Sequence, residues 1–189
     1  MFRSKFNKKN KKKMKHNYFG KVKTDWAGFS SEYMVKIPYF EKEVEVFLGE
    51  EYDEDGEEVE TPPENRQLDE FEQTIKDFLN DIDSVIVDIQ QSAFDYYQRL
   101  YAKYYEIPFE VLFENSMVQE PENGKLHSPL NIDTKEKHFE YMKNIVSLIR
   151  VLDNKTIKIP IRYALDHEHG LELKIVNNKV AKIAGIAET

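Results

Sequence analysis

The segment Asp166-His167-Glu168-His169-Gly170 gathers two imidazoles and two carboxylates within five residues. On an extended backbone alternate side chains share a side, so His167 and His169 would point together while Asp166 and Glu168 complete a divalent-cation site. Metal-assisted hydrolysis is the chemistry such a site would perform. The same residues also spell a polar turn. In that reading Asp166 caps the backbone, Gly170 supplies unusual dihedrals and His169 bonds locally. His16, His127 and His138 lie elsewhere without ligand spacing, and there is no HExxH. The turn is read first as architecture, with no metal and no other cofactor expected.

Other chemistries find less. The chain contains 35 acidic residues, so no single pair of carboxylates stands out as an acid–base couple. GxxxxGK[ST], GxGxxG and GxSxG are missing, which removes the local signatures of nucleotide-binding folds and serine hydrolases. With no cysteine, thiolate metal sites, disulfide scaffolds and cysteine nucleophiles are excluded. The densest charge feature is acidic: Glu50, Glu51, Asp53, Glu54, Asp55, Glu57, Glu58 and Glu60, eight acids in eleven residues around Gly56. Such density belongs to an exposed loop, and an exposed negative loop can steer a positively charged partner. Tyr96, Tyr97, Tyr101, Tyr104 and Tyr105 suit either a protein interface or a core whose hydroxyls reach its boundary; core packing is the preferred reading. Trp26, in Asp25-Trp26-Ala27-Gly28, is expected to anchor packing.

Charge is segregated along the chain. Residues 1–16 hold Arg3 and seven lysines with no acid, so the rest carries 19 of the 27 basic side chains against all 35 acids. Residues 1–17 read as a disordered basic tail on an anionic body spanning residues 18–189. A negative body repels phosphate backbones, so specific nucleic-acid binding is not expected. No apolar run is long enough to span a bilayer, and no apolar stretch follows the basic start as in a signal peptide, so a cytoplasmic location is expected. At 189 residues the chain fits one domain.

The elements that must position these residues follow from periodicity. Short strands are expected over 19–23 and 32–37. Over 41–48, Val44, Val46 and Leu48 alternate with Glu43, Glu45 and Phe47, and Pro38-Tyr39-Phe40 makes the connection. Thr61-Pro62-Pro63-Glu64 reads as a helix start. Leu68, Phe71, Ile75, Phe78, Leu79 and Ile82 then repeat at helical spacing. A second helix, capped by Asp83-Ser84, is expected to run to about Tyr105 with Ile86, Ile89, Ala93, Tyr97, Leu100 and Tyr104 as its stripe. Pro108 ends the pattern, residues 115–132 read as a loop, and residues 134–143 as a short third helix. Four strands close the chain, over 145–152, 156–165, 171–176 and 180–183, with Asn177-Asn178 at a tight turn. The order gives an α+β fold, mainly antiparallel sheet from both ends of the chain packed against a central helical hairpin and a short third helix.

Phe19-Gly20, Trp26-Ala27-Gly28, Ile37 to Val44 and the closing Asp166-x-Glu168-His169-Gly170-Leu171 with Val180 and Gly185 resemble an uncharacterised bacterial domain family with a terminal D-x-E-H-G-[LI] signature. The resemblance covers about residues 18–187. His167 and the lysine-rich tail fall outside its pattern, which weakens a two-histidine metal site. The resemblance implies no established activity; an immunity role beside toxin genes is its association. The combined expectation is a non-catalytic binding protein, an immunity-type inhibitor of a basic toxin, with Glu50–Glu60 steering the partner. The alternative is a metal-dependent hydrolase centred on Asp166, His167, Glu168 and His169. A third reading makes the basic tail a tether to nucleic acid or membrane.

Overall fold

A computed structural model describes residues 14–106, 129–143, 146, 148–186 and 188–189. The fold is α+β. Eight strands form one sheet in the order of the chain: β1 (Met14–His16), β2 (Gly20–Asp25), β3 (Gly28–Lys36), β4 (Glu43–Leu48), β5 (Leu148–Leu152), β6 (Thr156–Ile161), β7 (Leu171–Val176) and β8 (Lys179–Ala184). Every neighbouring pair is antiparallel except β4 and β5, where Val46 faces Ile149 in parallel register. A parallel pair needs a crossover rather than a hairpin. The helices α1 (Asn65–Asn80), α2 (Ile82–Leu100), α3 (Ala102–Tyr105) and α4 (Lys135–Glu140) lie in the connection that supplies it.

Alternation decides which face these helices cover. Val44, Val46 and Leu48 on β4, Ile149 and Val151 on β5, and Ile157, Ile159 and Ile161 on β6 point to one side. They form one buried cluster with Leu68, Phe71, Ile75 and Phe78 of α1 and Ile86, Ile89 and Ala93 of α2. Each such side chain contributes about 1.5–3 kcal/mol on burial. The opposite face has a much smaller buried cluster, Ala27, Phe47 and Leu148. Among the described residues the sheet is therefore covered on one face and largely open on the other.

Several local expectations need correction. The helix start is displaced to Glu64, whose backbone N–H donates to Gln67 Oε1 at 3.1 Å, and Asn65 rather than a proline opens the helix. The second helix begins at Ile82, with Asp81 as the cap residue, and breaks at Tyr101 instead of running through to Tyr105. Within the segment read as tail, Met14–His16 form a strand paired with β2. Residues 1–13 and 107–128 lie outside the described residues, and with them most of the tail, Pro108 and residues 115–128 of the loop read over 115–132. The asparagine turn is as expected, Asn177 and Asn178 having φ of 49° and 59°.

The tyrosines go to the core. Tyr97, Tyr101 and Tyr104 are buried, and Tyr97 Oη donates to Glu106 Oε1 at 2.6 Å. Beside them His138 is 1% exposed, its Nε2 facing the Tyr163 hydroxyl. Burial alone pulls the His138 imidazole down to about 4. In the unfolded chain it titrates near its ordinary value of about 6.5. Between those values the unfolded chain binds a proton that the folded chain refuses, so stability is full above the upper value and falls as pH drops through the window. The loss amounts to roughly 3 kcal/mol. Urea unfolding at pH 7 and about 4.5 should show this fall in the parent chain and a shallower one in His138→Phe; equal falls in both would remove His138 as the cause.

Candidate functional site

The open face of the sheet carries a groove of about 480 Å³. Its floor is Leu148 and Arg150 of β5, Lys158 and Pro160 of β6, and Glu172 of β7. Trp26 and Ala27 wall one part, Glu50, Glu51 and Tyr52 another, and Arg162 and Ile186 complete the lining. That volume lies within the usual range for ligand or side-chain pockets, roughly 300–1,000 Å³.

Arg150 organises this face. In the strand Leu148-Ile149-Arg150-Val151-Leu152, Ile149 and Val151 go to the main core, so alternation sends Arg150 to the other side. Its Nη1 donates to Gly49 O at 3.0 Å, and its Nη2 to Ala27 O at 2.9 Å and Glu51 Oε2 at 3.3 Å. The guanidinium also sits 5.6 Å from the centre of the Phe47 ring. One planar fork thus joins the end of β4, the β2–β3 turn and the base of the acidic segment, a task a lysine ammonium cannot copy. Burial lowers the Arg150 pKa, and the carboxylates of Glu51, Glu50 and Glu172 oppose that shift.

The acidic segment is an exposed loop, as expected, and it is also a small folded hairpin. Tyr52 and Glu58 form a bridge, and Val59 N donates to Glu51 O at 3.0 Å. The Asp53 carboxylate accepts from the N–H groups of Asp55 and Glu57 at 3.0 and 2.9 Å, and Gly56 takes a φ of 79°. Asp53 is therefore committed to holding the turn. Glu50, Glu54, Asp55, Glu57, Glu58 and Glu60 stand exposed. Among the described residues only Glu51 of the eight acids pairs with a cation.

Trp26 does not anchor the core; it is 72% exposed. The Asp25 carboxylate accepts from Trp26 N at 2.9 Å and Ser30 Oγ at 2.7 Å, and pairs with Lys23. These partners hold Asp25 down to about 2, with the Ser30 bond the largest cause. Gly28 follows at a φ of 93°. The tight turn fixed in this way sends the indole outward, where its ring meets the edge of Phe47 at 5.5 Å between centres. Tyr52 stands 50% exposed on the other side of the groove.

The Asp166–Gly170 segment is a hydrogen-bonded turn, closed by Gly170 N donating to Asp166 O at 3.0 Å. Asp166 is buried, and its Oδ2 accepts from Tyr101 Oη at 2.8 Å while Oδ1 accepts from His169 N at 3.0 Å. His169 Nδ1 lies 3.2 Å from Asp166 Oδ1. The His169 and Tyr101 bonds together hold the carboxyl below its ordinary range, against a desolvation that pushes it up. Gly170 has a φ of 65°, and a Cβ there would come within 2.6 Å of Ile186 Cδ1 and 3.0 Å of the Ile161 carbonyl. Both constraints demand glycine. His167 and Glu168 are exposed, and the four candidate ligands of this turn do not converge on one point.

Among the described residues, the one convergence of metal-ligand atoms is elsewhere: His16, Asp69 and Glu72, all within 4.8 Å. His16 Nδ1 accepts the Tyr18 N–H at 3.3 Å, so the ring proton sits on Nε2 and points to Asp69 Oδ1 at 3.1 Å. Lys76 pairs with Glu72. The group is a hydrogen-bonded clasp from β1 to α1, with the imidazole lone pair already used.

The sequence marks the acidic segment as an exposed loop and Asp166–Gly170 as a turn, but not the folding of that loop as a hairpin, the role of Arg150, the groove or the exposure of Trp26. The single arginine inside an otherwise apolar strand was the available signal for the role of Arg150.

Over residues 18–188 the chain matches the family described as Domain of unknown function (DUF6985), and it belongs to that family. The matched span agrees closely with the resemblance seen in the sequence. No curated protein and no solved structure matches the chain. Among the described residues no helix is long and apolar enough to cross a membrane.

Replacing Arg150 by Met should lower stability by about 2–3 kcal/mol, because charge-assisted bonds are lost and Gly49 O and Ala27 O go unpaired. Arg150→Lys should restore only part. Amide exchange at Val59, whose N–H closes the hairpin base, should speed up in both; unchanged Val59 protection would show that Arg150 does not hold the hairpin.

Proposed function

We propose that this chain is a non-catalytic binding protein whose recognition surface is the Glu50–Glu60 hairpin together with the adjoining groove. Its partner is a basic protein, as for an immunity-type inhibitor that neutralises a cationic toxin by covering its functional face. The observation that supports this most is the hairpin itself, a held turn whose exposed carboxylates have almost no cations of their own among the described residues. Such a surface accelerates encounter with a positive partner and loses that advantage as salt rises.

Steering alone does not retain a partner. Affinity resides in a few large, desolvated contacts, and aromatic side chains are enriched among them. Trp26, Tyr52 and Ile186 offer exposed apolar surface at the same place. An arginine or lysine stem laid on the Trp26 indole would bring its charged end towards Glu50, combining a cation–π contact with an ion pair. The bacterial setting, the link to toxins and a cytoplasmic location belong to this reading as its expected context. The alternative, a metal-dependent hydrolase at Asp166, His167, Glu168 and His169, has less support, since Asp166 is spent on Tyr101 and on its own turn.

Trp26 is the only tryptophan, so its fluorescence reports directly on the groove. Stopped-flow mixing with a nonaarginine probe should change that fluorescence, with an association rate falling about tenfold or more as salt rises from about 0.05 to about 0.5 M. The variant E54Q/D55N/E57Q/E58Q/E60Q, which keeps Asp53, should bind several-fold more slowly. A rate indifferent to salt and to these substitutions would reject the reading.

A further inference from the structure

We infer that residues 1–13 of this chain dock intramolecularly in the groove on the open face of the sheet, Phe2 and Phe6 meeting its apolar lining and the lysines facing the Glu50–Glu60 hairpin. The inference rests on the reading of hairpin and groove as a cation-binding surface, and adds a built-in competitor for it.

Direction supplies the first reason. Met14 faces Val22, Lys15 faces Lys21 and His16 faces Gly20, so the N-terminal end of β1 points along β2 towards Asp25 and Trp26. Beyond Val22, β2 pairs with β3 through Lys23, Thr24 and Asp25, and its other side has no partner strand among the described residues. From Val22 to Trp26 is four strand positions, about 13 Å. Thirteen extended residues reach about 43 Å. The turn that Trp26 occupies abuts the hairpin, since a Cβ on Gly28 would lie 3.5 Å from Glu51 Cα. A segment of that length continuing the line of β1 can therefore reach the groove with length to spare.

Complementarity supplies the second. Residues 1–13 contain seven basic side chains, no acid and two phenylalanines. The groove presents aromatic and aliphatic walls beside a row of carboxylates that, Glu51 aside, pair with no cation among the described residues. Of its own cations, Arg150 is held by Glu51 and two carbonyls, and Lys158 donates to Thr189 O at 3.0 Å. Arg162 is exposed and without a partner among the described residues, so it disfavours lysines at its end and biases them towards the hairpin. A tethered segment acts at an effective concentration of order millimolar, so even a weak contact is well populated.

The chain has no cysteine, so two can be introduced as unique label sites. Spin labels at S4C and T61C in the full chain should give one short, narrow distance at about 0.05 M salt that broadens at about 1 M, where the screening length is about 3 Å. Adding E54K/D55K/E57K/E58K should produce the broad distribution at low salt as well. Distributions that ignore both salt and charge reversal would overturn the inference. So would a short distance that vanishes when labelled chain is diluted with unlabelled, because that places the tail on a second copy. In parallel, nonaarginine should bind K8Q/K9Q/K11Q/K12Q/K13Q several-fold more tightly than the parent. Equal binding to both would overturn the tail's role while leaving the hairpin reading intact, whereas binding to neither would reject the hairpin reading itself.

Discussion

The open face of this molecule depends on one guanidinium. Arg150 projects from the middle of β5 and binds the carbonyls of Gly49 and Ala27 and the carboxylate of Glu51. Without it, the end of β4, the β2–β3 turn and the acidic hairpin would share only short-range contacts on a face that none of the described helices covers. A charge set so close to a sheet is costly unless its donors are satisfied, and here each interaction that satisfies it also positions an element of the groove. The hairpin can hold a concentration of like charge because its base is fastened from below, and Asp53 is diverted to fastening its tip.

The two faces divide the work of the fold. On the covered face, the aliphatic strands and the two long helices supply the stability, and the tyrosine layer extends it towards the C-terminal turn. Tyr101 reaches Asp166, Tyr105 reaches the Leu165 carbonyl and Tyr97 reaches Glu106, so these three hydroxyls are paired. Those bonds fit a locked structure better than a reactive one, and they leave the turn at Asp166 to Gly170 as a fixed corner. The other face combines exposed aromatic surface with carboxylates that, Glu51 aside, have no cation partner among the described residues. Such surface is seldom left uncovered on a protein unless something binds there.

Much of this was legible in the sequence, for physical reasons that also mark where legibility ended. Val44, Val46 and Leu48 alternate, and alternation is the strand's own period, so the β4 face was readable. Asn177-Asn178 was readable because few residues tolerate the left-handed backbone a two-residue turn requires. Leu68 to Phe78 repeats as a helix face must. Trp26 misled because its size argues for burial, whereas its exposure is set by Asp25 and Gly28 closing the turn beneath it. The three-residue strand β1 was hidden among lysines, since its pairing to β2 comes from tertiary context and the His16–Asp69 contact. The break at Tyr101 falls where that side chain is drawn to Asp166, a partner 65 positions away. The groove was invisible because it brings the β2–β3 turn and the hairpin together with β5, β6, β7 and Ile186, which lie about a hundred positions further along the chain.

The central claim is that hairpin and groove act as one surface for a positively charged chain. Amide chemical-shift mapping of the full-length protein with nonaarginine tests it most directly. The shifts should cluster at residues 25–28, 50–60 and 148–162 and spare the exposed acidic positions of α1. Perturbations centred on α1, or spread evenly over every acidic surface, would contradict the claim and reduce the interaction to unspecific charge attraction.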